Sequence, residues 1–191
     1  LGTAWDHASA SLPAAPVPRV VLSGKVTGSD GKPGKGYEVS LGNEGGQDWL
    51  REKADPAGGY EFIGVPRGTY QLVCNPPGMG QPILVIKGVA IDPDKPSQVD
   101  LDLKRNFILA GTVSNPDGTA APGIAIDITC QDAQARAEFS DTTRTDAQGR
   151  FEIGSALRTV TYLGINGVRI DGAMPQLAPG RNSRDYVLKM R

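Results

Sequence analysis

An internal repeat constrains the fold of this chain more than any other feature of its 191 residues. The stretch "VLSGKVTGSDGKPGKGYEVSL" at 21–41 aligns with "ILAGTVSNPDGTAAPGIAIDI" at 108–128, at a constant offset of 87 positions. A second block, "DPAGGYEF" at 55–62, returns as "DAQGRFEI" at 146–153 with an offset of 91. Matching order with small local changes in length predicts two copies of one domain, because short solenoid units keep a strict short period.

The segments between the turns have the alternation of half-buried β-strands. In "IAIDITC" the apolar residues Ile124, Ile126, Ile128 and Cys130 share one face, and "TYQLVC" repeats the pattern. Turn signals recur every 8 to 12 residues, and no stretch carries an apolar pattern at helical spacing. These features predict an all-β protein made of two tandem antiparallel Greek-key β-sandwich domains.

The recurring "DPAGGY" and "DAQGRF" blocks have the properties of turns. Asp55 and Asp146 can accept hydrogen bonds from the turn backbone, and Gly58 and Gly149 can adopt positive φ angles. A little further on, the hydroxyl of Tyr70 is placed to anchor a loop, as corner tyrosines do in other sandwiches. A catalytic interpretation would require a pocket with an acid, base or nucleophile, which the repeat does not supply. We therefore interpret the repeated block as scaffold.

The order of these motifs resembles that of a known family. The first copy reads "GKV", "DGKPGKGYEVSL", the "DPAGGYEF" turn, "VPRGTYQLVC" and "VDLDL", which is similar to the carboxypeptidase regulatory-like domain. The resemblance implies a transthyretin-like (prealbumin-like) sandwich and a role as an accessory, adhesive or carbohydrate-associated module. The second copy departs at "ALRTVTYL", where the Pro-x-Gly-x-Tyr of the first copy is missing. The catalytic histidines of transthyretin-like hydrolases, and the metal-binding tyrosines and histidines of similarly folded dioxygenases, have no counterparts here.

The two copies and the segment before them divide the chain into three parts. We expect residues 1–18 to form an extended arm or linker, residues 19–105 a first sandwich and residues 106–191 a second. The connection "DLKRNFIL" contains neither glycine nor proline. So short a connection should restrict motion between the two sandwiches.

Composition argues against several classes of function. The net charge of −1 supplies no basic surface for nucleic acid, and no apolar run approaches the ~20 residues of a membrane-spanning helix. The single histidine, His7, lies in a leader rich in proline and alanine, so a Ser-His-Asp or Cys-His arrangement would have to recruit it from a chain end. Cys74 and Cys130 fall on the apolar faces of strands in different copies, so we expect them not to be bonded to each other. We predict no nucleic-acid partner, no membrane insertion, no catalytic residues and no resident metal.

Two weaker candidates for ligand binding remain. Asp92 and Asp94 are the best pair for calcium, although no preformed acidic loop surrounds them and the neighbouring prolines suggest a solvated turn. Trp49 could stack on a sugar ring, or it could cap one open end of the first sandwich. The second copy has no aromatic residue at the equivalent place unless Phe139 serves.

The leading hypothesis for function is a non-catalytic structural or adhesive module of a secreted or cell-surface protein. Its partners would be other protein chains, including copies of itself that the N-terminal arm reaches, with Trp5 and Leu12 as anchors. Such a contact could make the chain a subunit of a surface assembly or filament. The alternative, from another class, is a carbohydrate-binding accessory module of a secreted enzyme or uptake system, with Trp49 in the site.

Overall fold

The computed structural model of the chain describes residues 19–43, 48–78, 84–170, 174, 177 and 183–189. Within these residues the protein is all-β, which confirms the predicted class. The first half contributes β1 (Val20–Thr27), β2 (Glu38–Asn43), β3 (Trp49–Lys53), β4 (Gly59–Ile63), β5 (Gly68–Asn75), β6 (Leu84–Ile91), β7 (Ser97–Gln98) and β8 (Leu101–Asp102). The second half contributes β9 (Phe107–Ser114), β10 (Ala125–Asp132), β11 (Ala137–Arg144), β12 (Arg150–Ser155), β13 (Thr159–Ile165), β14 (Val168–Arg169) and β15 (Ser183–Lys189).

Each half folds into two facing sheets with strands in the same order. In the first half, β4, β1, β7 and β8 face the sheet β3–β2–β5–β6. In the second half, β12–β9–β15 faces β11–β10–β13–β14. Most neighbours are antiparallel, but β1 pairs in parallel with β7 and β8, and β9 pairs in parallel with β15. The β-sandwich prediction is confirmed, and the parallel pairs show that the last strand of each half returns beside its first.

An apolar cluster lies between the sheets of each half. Cys74 is buried in the first cluster with its neighbour Leu72, and Cys130 is buried in the second with Ile128. This burial follows the alternation read from the sequence. The two cysteines are free and lie in different clusters, so the prediction that they are not bonded to each other is confirmed.

The turns that recur in the two halves are built alike. Asp55 Oδ1 accepts hydrogen bonds from the N–H groups of Ala57 and Gly59, both at 2.8 Å, and Asp146 Oδ1 accepts two at 2.9 Å from its own turn. Gly58 has a φ of 82° and Gly149 a φ of 71°. Each glycine sits against a carbonyl of the first strand of its half, so that a Cβ atom on Gly58 would lie 2.5 Å from the carbonyl oxygen of Val26. The repeated residues therefore have structural roles, as the sequence predicts.

Two tyrosine hydroxyls fasten loops in the first half. Tyr70 donates to the carbonyl oxygen of Pro66 at 2.9 Å, which confirms the predicted corner tyrosine. Tyr60 donates to the carbonyl oxygen of Val99 at 2.5 Å and packs its ring edge-on against Phe62 in the core. Both tyrosines use their hydroxyl groups to stabilise the sandwich.

The close contact at the recurring glycines yields a testable difference between two positions of the second half. Gly149→Ala should lower the free energy of unfolding by about 3 kcal/mol, because it adds a clash with the Val113 carbonyl to the strain of a positive φ. Gly118 has a similar φ of 86° but nothing within 4 Å of a Cβ position, so Gly118→Ala should cost only about 1 kcal/mol. Urea denaturation measures both values. Equal losses would contradict the contact geometry.

One sheet runs through both halves of the protein. The edge strand β6 of the first half pairs antiparallel with β11 of the second, giving the order β14–β13–β10–β11–β6–β5–β2–β3. Phe139 lies opposite Leu84 at this junction, is completely buried, and belongs to the apolar cluster of the first half. The domain limits 19–105 and 106–191 stay a prediction. The structure shows that Phe139, which lies beyond residue 105, helps to complete the first core. The predicted arm, residues 1–18, lies outside the described residues.

Candidate functional site

Trp49 lies on the outer face of the large sheet, at the start of β3. Its indole covers Gly42 of β2, where a Cβ atom would come within 2.6 Å of Trp49 Cδ2. The two residues pair across the β2–β3 hairpin, and Gly42 pairs on its other side with Gln71 of β5. The half-buried ring therefore rests on the sheet surface and not on the core. Trp49 therefore does not cap an open end of the sandwich, which was the other interpretation of this residue.

The indole contributes to an open groove of about 650 Å³ on this face. Gln71, Arg51 and the Pro76–Pro77 turn also line the groove. Arg51 forms an exposed ion pair with Glu38, with Arg51 Nη1 3.6 Å from Glu38 Oε1. Since such a surface pair contributes little to stability, the guanidinium is available to a ligand at small cost.

Asn75 supplies the most unusual polar group of the groove. Its Oδ1 atom is buried and has no hydrogen-bond partner within the described ranges. Buried amide oxygens are nearly always hydrogen-bonded, so a donor from solvent or from a ligand is expected here. An aromatic face and an arginine that line the same open groove suit a ligand with one apolar and one hydroxyl-bearing surface, such as a sugar. The ligand-binding role of Trp49 stays a prediction.

The acidic pair considered for calcium is held by an arginine. Arg67 Nη1 lies 2.6 Å from Asp92 Oδ2, and Arg67 Nη2 lies 2.9 Å from Asp94 Oδ2. The backbone N–H of Asp94 donates to Asp92 Oδ1, and this bond, with Arg67, holds the pKa of Asp92 below its ordinary value. The guanidinium thus occupies the position between the carboxylates. In the part of the chain that the structure describes, no three His, Cys, Asp or Glu side chains are grouped so as to hold a metal ion.

The buried thiols and the buried phenol of Tyr60 are not activated for catalysis. Burial raises the pKa of the Cys74 thiol to about 12 and that of the Cys130 thiol to about 11, so both remain protonated and unreactive at neutral pH. Burial likewise raises the pKa of Tyr60, whose hydroxyl is already bonded to Val99. His7 lies outside the described residues. These thiols and this phenol supply no activated nucleophile or base.

The junction between the halves is held by three further contacts. Arg105 of the connection lies across Gly154, and its Nη2 atom is 2.5 Å from Asp141 Oδ2. The N–H of Lys87 donates to the carbonyl oxygen of Arg136 at 3.0 Å, which extends the β6–β11 pairing. Burial raises the pKa of Asp141, although Arg105 counteracts this effect. The interpretation of Phe139 as a second-copy counterpart of Trp49 is wrong, because Phe139 is buried within this junction.

Comparison with known proteins identifies the first half of the chain. Residues 21–104 match the profile of the carboxypeptidase regulatory-like domain. This segment is a carboxypeptidase regulatory-like domain. The groove at Trp49 lies entirely on this carboxypeptidase regulatory-like domain, and the β6 edge of the same domain carries the junction.

Similarity to individual proteins is distant. The chain is 25% identical over 132 residues to halomucin of Haloquadratum walsbyi, which covers 69% of this chain and 1% of that protein. Among solved structures, it resembles a minor pilin of Streptococcus agalactiae at 12% identity and a TM-score of 0.40, covering 90% of this chain and 94% of the pilin. It also resembles the Bacillus anthracis TIE protein at 15% identity and a TM-score of 0.36, covering 90% of this chain and 33% of that one. Likenesses of this size do not establish a shared function.

Over the described ranges, no helix has the length and apolar character needed to cross a bilayer.

Proposed function

We propose that this chain is a non-catalytic structural module of a secreted or cell-surface protein, in which two joined sandwiches form a stiff spacer. The observation that carries the proposal is the continuous sheet across β6 and β11. Backbone hydrogen bonds, a buried aromatic side chain and an ion pair all cross the same junction. The secreted or surface location rests on the kind of modules that the carboxypeptidase regulatory-like family supplies.

The junction supports stiffness through three kinds of contact that would all have to break together for the halves to rotate. Rotation about the connection would separate the paired backbones of β6 and β11. It would also withdraw Phe139 from the first core and part Arg105 from the buried Asp141. Domains joined only by a flexible linker keep their relative motion, whereas a large buried junction suppresses it.

Stiffness can be measured as a distance distribution between the halves. Glu61 and Glu152 are exposed residues on β4 and β12, at equivalent positions of the two halves. Spin labels attached to Glu61→Cys and Glu152→Cys should give one narrow distribution by double electron–electron resonance, and the buried native thiols should stay unlabelled. Arg105→Ala in the same background should broaden it. A broad distribution in the parent protein would contradict the spacer function.

A second candidate function is carbohydrate binding in the groove of the carboxypeptidase regulatory-like domain. Trp49 on the sheet surface and the unpartnered Asn75 Oδ1 favour it. Trp49 offers a stacking face for a sugar ring, and Asn75, which pairs with Glu38 four positions along β2 from Gly42, offers an acceptor further along the same groove. In this function the module would accompany a secreted enzyme or an uptake system.

Glycan titration tests this second function. The chain has two tryptophans, so a Trp5→Phe background leaves Trp49 as the only indole fluorophore. Saturable quenching or a blue shift by a glycan is expected, with affinity reduced by about tenfold or more in Asn75→Ala, measured by the same signal. In the parent chain, calorimetry should show binding lost in Trp49→Ala and unchanged in Leu50→Ala, which alters the next residue of β3. Equal effects of the two alanine variants would argue against the groove.

A further inference from the structure

The groove at Trp49 has a regular floor, because it crosses three neighbouring strands of the long sheet. Residues paired across β3, β2 and β5 form three rows, which are Trp49–Gly42–Gln71, Arg51–Ser40–Val73 and Lys53–Glu38–Asn75. Successive rows are two residues apart along each strand, so the first and third rows lie about 14 Å apart. The groove is therefore longer than a single sugar ring.

The chemistry of the groove changes from row to row. The first row has the indole of Trp49, lying flat on the sheet over Gly42. The second row has the guanidinium of Arg51, beside the nearly buried side chain of Ser40. The third row has the buried Asn75 Oδ1, which has no hydrogen-bond partner within the described ranges. An apolar face, a cation and a hydrogen-bond acceptor thus follow one another along the groove.

Positive charge exceeds negative charge in this groove. Among the described residues that line it, three are charged, namely Glu38, Arg51 and Lys53. Glu38 pairs in register with Lys53, and its Oε1 atom lies 3.6 Å from Arg51 Nη1. One carboxylate therefore serves two cations. Glu138 of β11 is not among the lining residues, and its carboxylate accepts a hydrogen bond from Gln131 at 2.9 Å.

We propose that the groove binds an acidic glycan, a chain of sugars that carries uronic-acid carboxylates. A sugar ring stacks on Trp49, a carboxylate binds Arg51 in place of Glu38, and a hydroxyl group further along donates to Asn75 Oδ1. The planar guanidinium suits a carboxylate because it can donate two parallel hydrogen bonds, and its exposed pair with Glu38 is exchanged at small cost. This inference rests on the proposed carbohydrate-binding function and names the class of glycan.

A matched pair of ligands tests the charge of the glycan. An oligogalacturonate and its methyl-esterified form have the same sugar rings, but only the first is charged. In calorimetry at low salt we expect the acidic form to bind the parent chain about tenfold more tightly, because its hydrogen bonds to Arg51 are charge-assisted. Added salt should reduce this preference. Alginate and hyaluronan oligomers extend the measurement to other uronic acids.

Three substitutions locate the effect in the groove. Arg51→Gln should weaken binding of the acidic oligomer about tenfold and leave the esterified form unchanged. Glu38→Gln should strengthen binding of the acidic oligomer about threefold, because it removes a like charge and releases Arg51. Glu52→Gln is the matched control, since it makes the same change of charge on β3 at a residue outside the groove lining, and should leave the affinity unchanged. Thermal unfolding shows that each variant is folded.

The outcomes separate this inference from the function on which it rests. Equal affinity for the two forms of the oligomer, or equal effects of Glu38→Gln and Glu52→Gln, would overturn the acidic-glycan inference and leave carbohydrate binding in place. Binding of the acidic oligomer that Arg51→Gln does not weaken would also overturn it. If no oligomer binds, charged or neutral, both the inference and the carbohydrate-binding function fail. The spin-label distances report the spacer function independently of all these results.

Discussion

Phe139→Ala is expected to destabilise the first half of the protein, although residue 139 belongs to the second copy of the repeat. The side chain is completely buried in the first apolar cluster, opposite Leu84 of β6. Removing a buried phenylalanine from a packed core typically lowers the free energy of unfolding by about 3–5 kcal/mol, through lost burial and the cavity that remains. The loss should be concentrated in the strands that surround this side chain.

Hydrogen exchange read by mass spectrometry locates the loss. Amides of β5 and β6 should exchange faster in Phe139→Ala, and those of β9 and β12 should change least. Phe151→Ala is the matched control, because Phe151 is equally well buried in the second cluster and should give the opposite pattern. Faster exchange confined to the second half in both variants would show that Phe139 does not complete the first core.

Arg105→Met is expected to lower stability by about 2 kcal/mol at pH 7, by leaving the Asp141 carboxylate buried without its cation. The figure is below that of a fully buried pair because the Arg105 side chain is 42% exposed. Methionine keeps most of the aliphatic contact over Gly154, so the substitution removes chiefly the charge.

The loss of stability in Arg105→Met should depend on pH, and the raised pKa of Asp141 gives the direction of this dependence. Burial raises the pKa of Asp141 above its ordinary value of 3.8, and Arg105 holds the increase in check. A carboxyl group with a raised pKa contributes stability that is fully present below its ordinary pKa and lost as the pH rises through the folded value. Without Arg105 the pKa of Asp141 in the folded protein is higher, so stability continues to fall up to a higher pH. The difference between Arg105→Met and the parent protein should therefore be small at pH 3 and greatest at pH 7.

A double-mutant cycle isolates the contribution of the pair. In an Asp141→Asn background no buried carboxylate remains, so Arg105→Met should cost much less, and its cost should no longer change with pH. Chemical denaturation of the four proteins at pH 3, 5 and 7 supplies the measurement. A pH-independent loss for Arg105→Met in the parent background would mean that packing, and not the ion pair, is what Arg105 provides.

Features governed by local chemistry could be predicted from the sequence. The Asp55 and Asp146 turns depend on side chains and glycines within five positions, and their hydrogen bonds are as expected. The burial of Cys74 and Cys130 follows from alternation along a single strand. Such patterns are specific because the strand period of two places every second residue on the same face.

Features that depend on pairing between distant strands could not be predicted from the sequence. Trp49 lies over Gly42 of the neighbouring strand, so predicting its position requires the register of the β2–β3 hairpin and not only the presence of the strand. The β6–β11 pairing joins segments from different copies of the repeat, and no local pattern marks β6 as an interior strand. One signal was present, since alternation in "AEFSDTTR" places Asp141 on the same face as Phe139. A carboxylate on an apolar face requires a partner, but Arg136 and Arg144 lie closer to Asp141 in the sequence than Arg105, so the pairing with Arg105 could not be read from the sequence.

The crossing of β6 and β11 also has a consequence for the order in which the protein can mature. A nascent chain emerges from its N-terminus, so β6 and the rest of the first sandwich are synthesised before Phe139. Until β11 arrives, β6 is an open edge and the first interior lacks one of its aromatic side chains. An open strand edge and an incomplete apolar interior make a folding intermediate prone to aggregation. Completion of the first sandwich therefore waits on translation of the second.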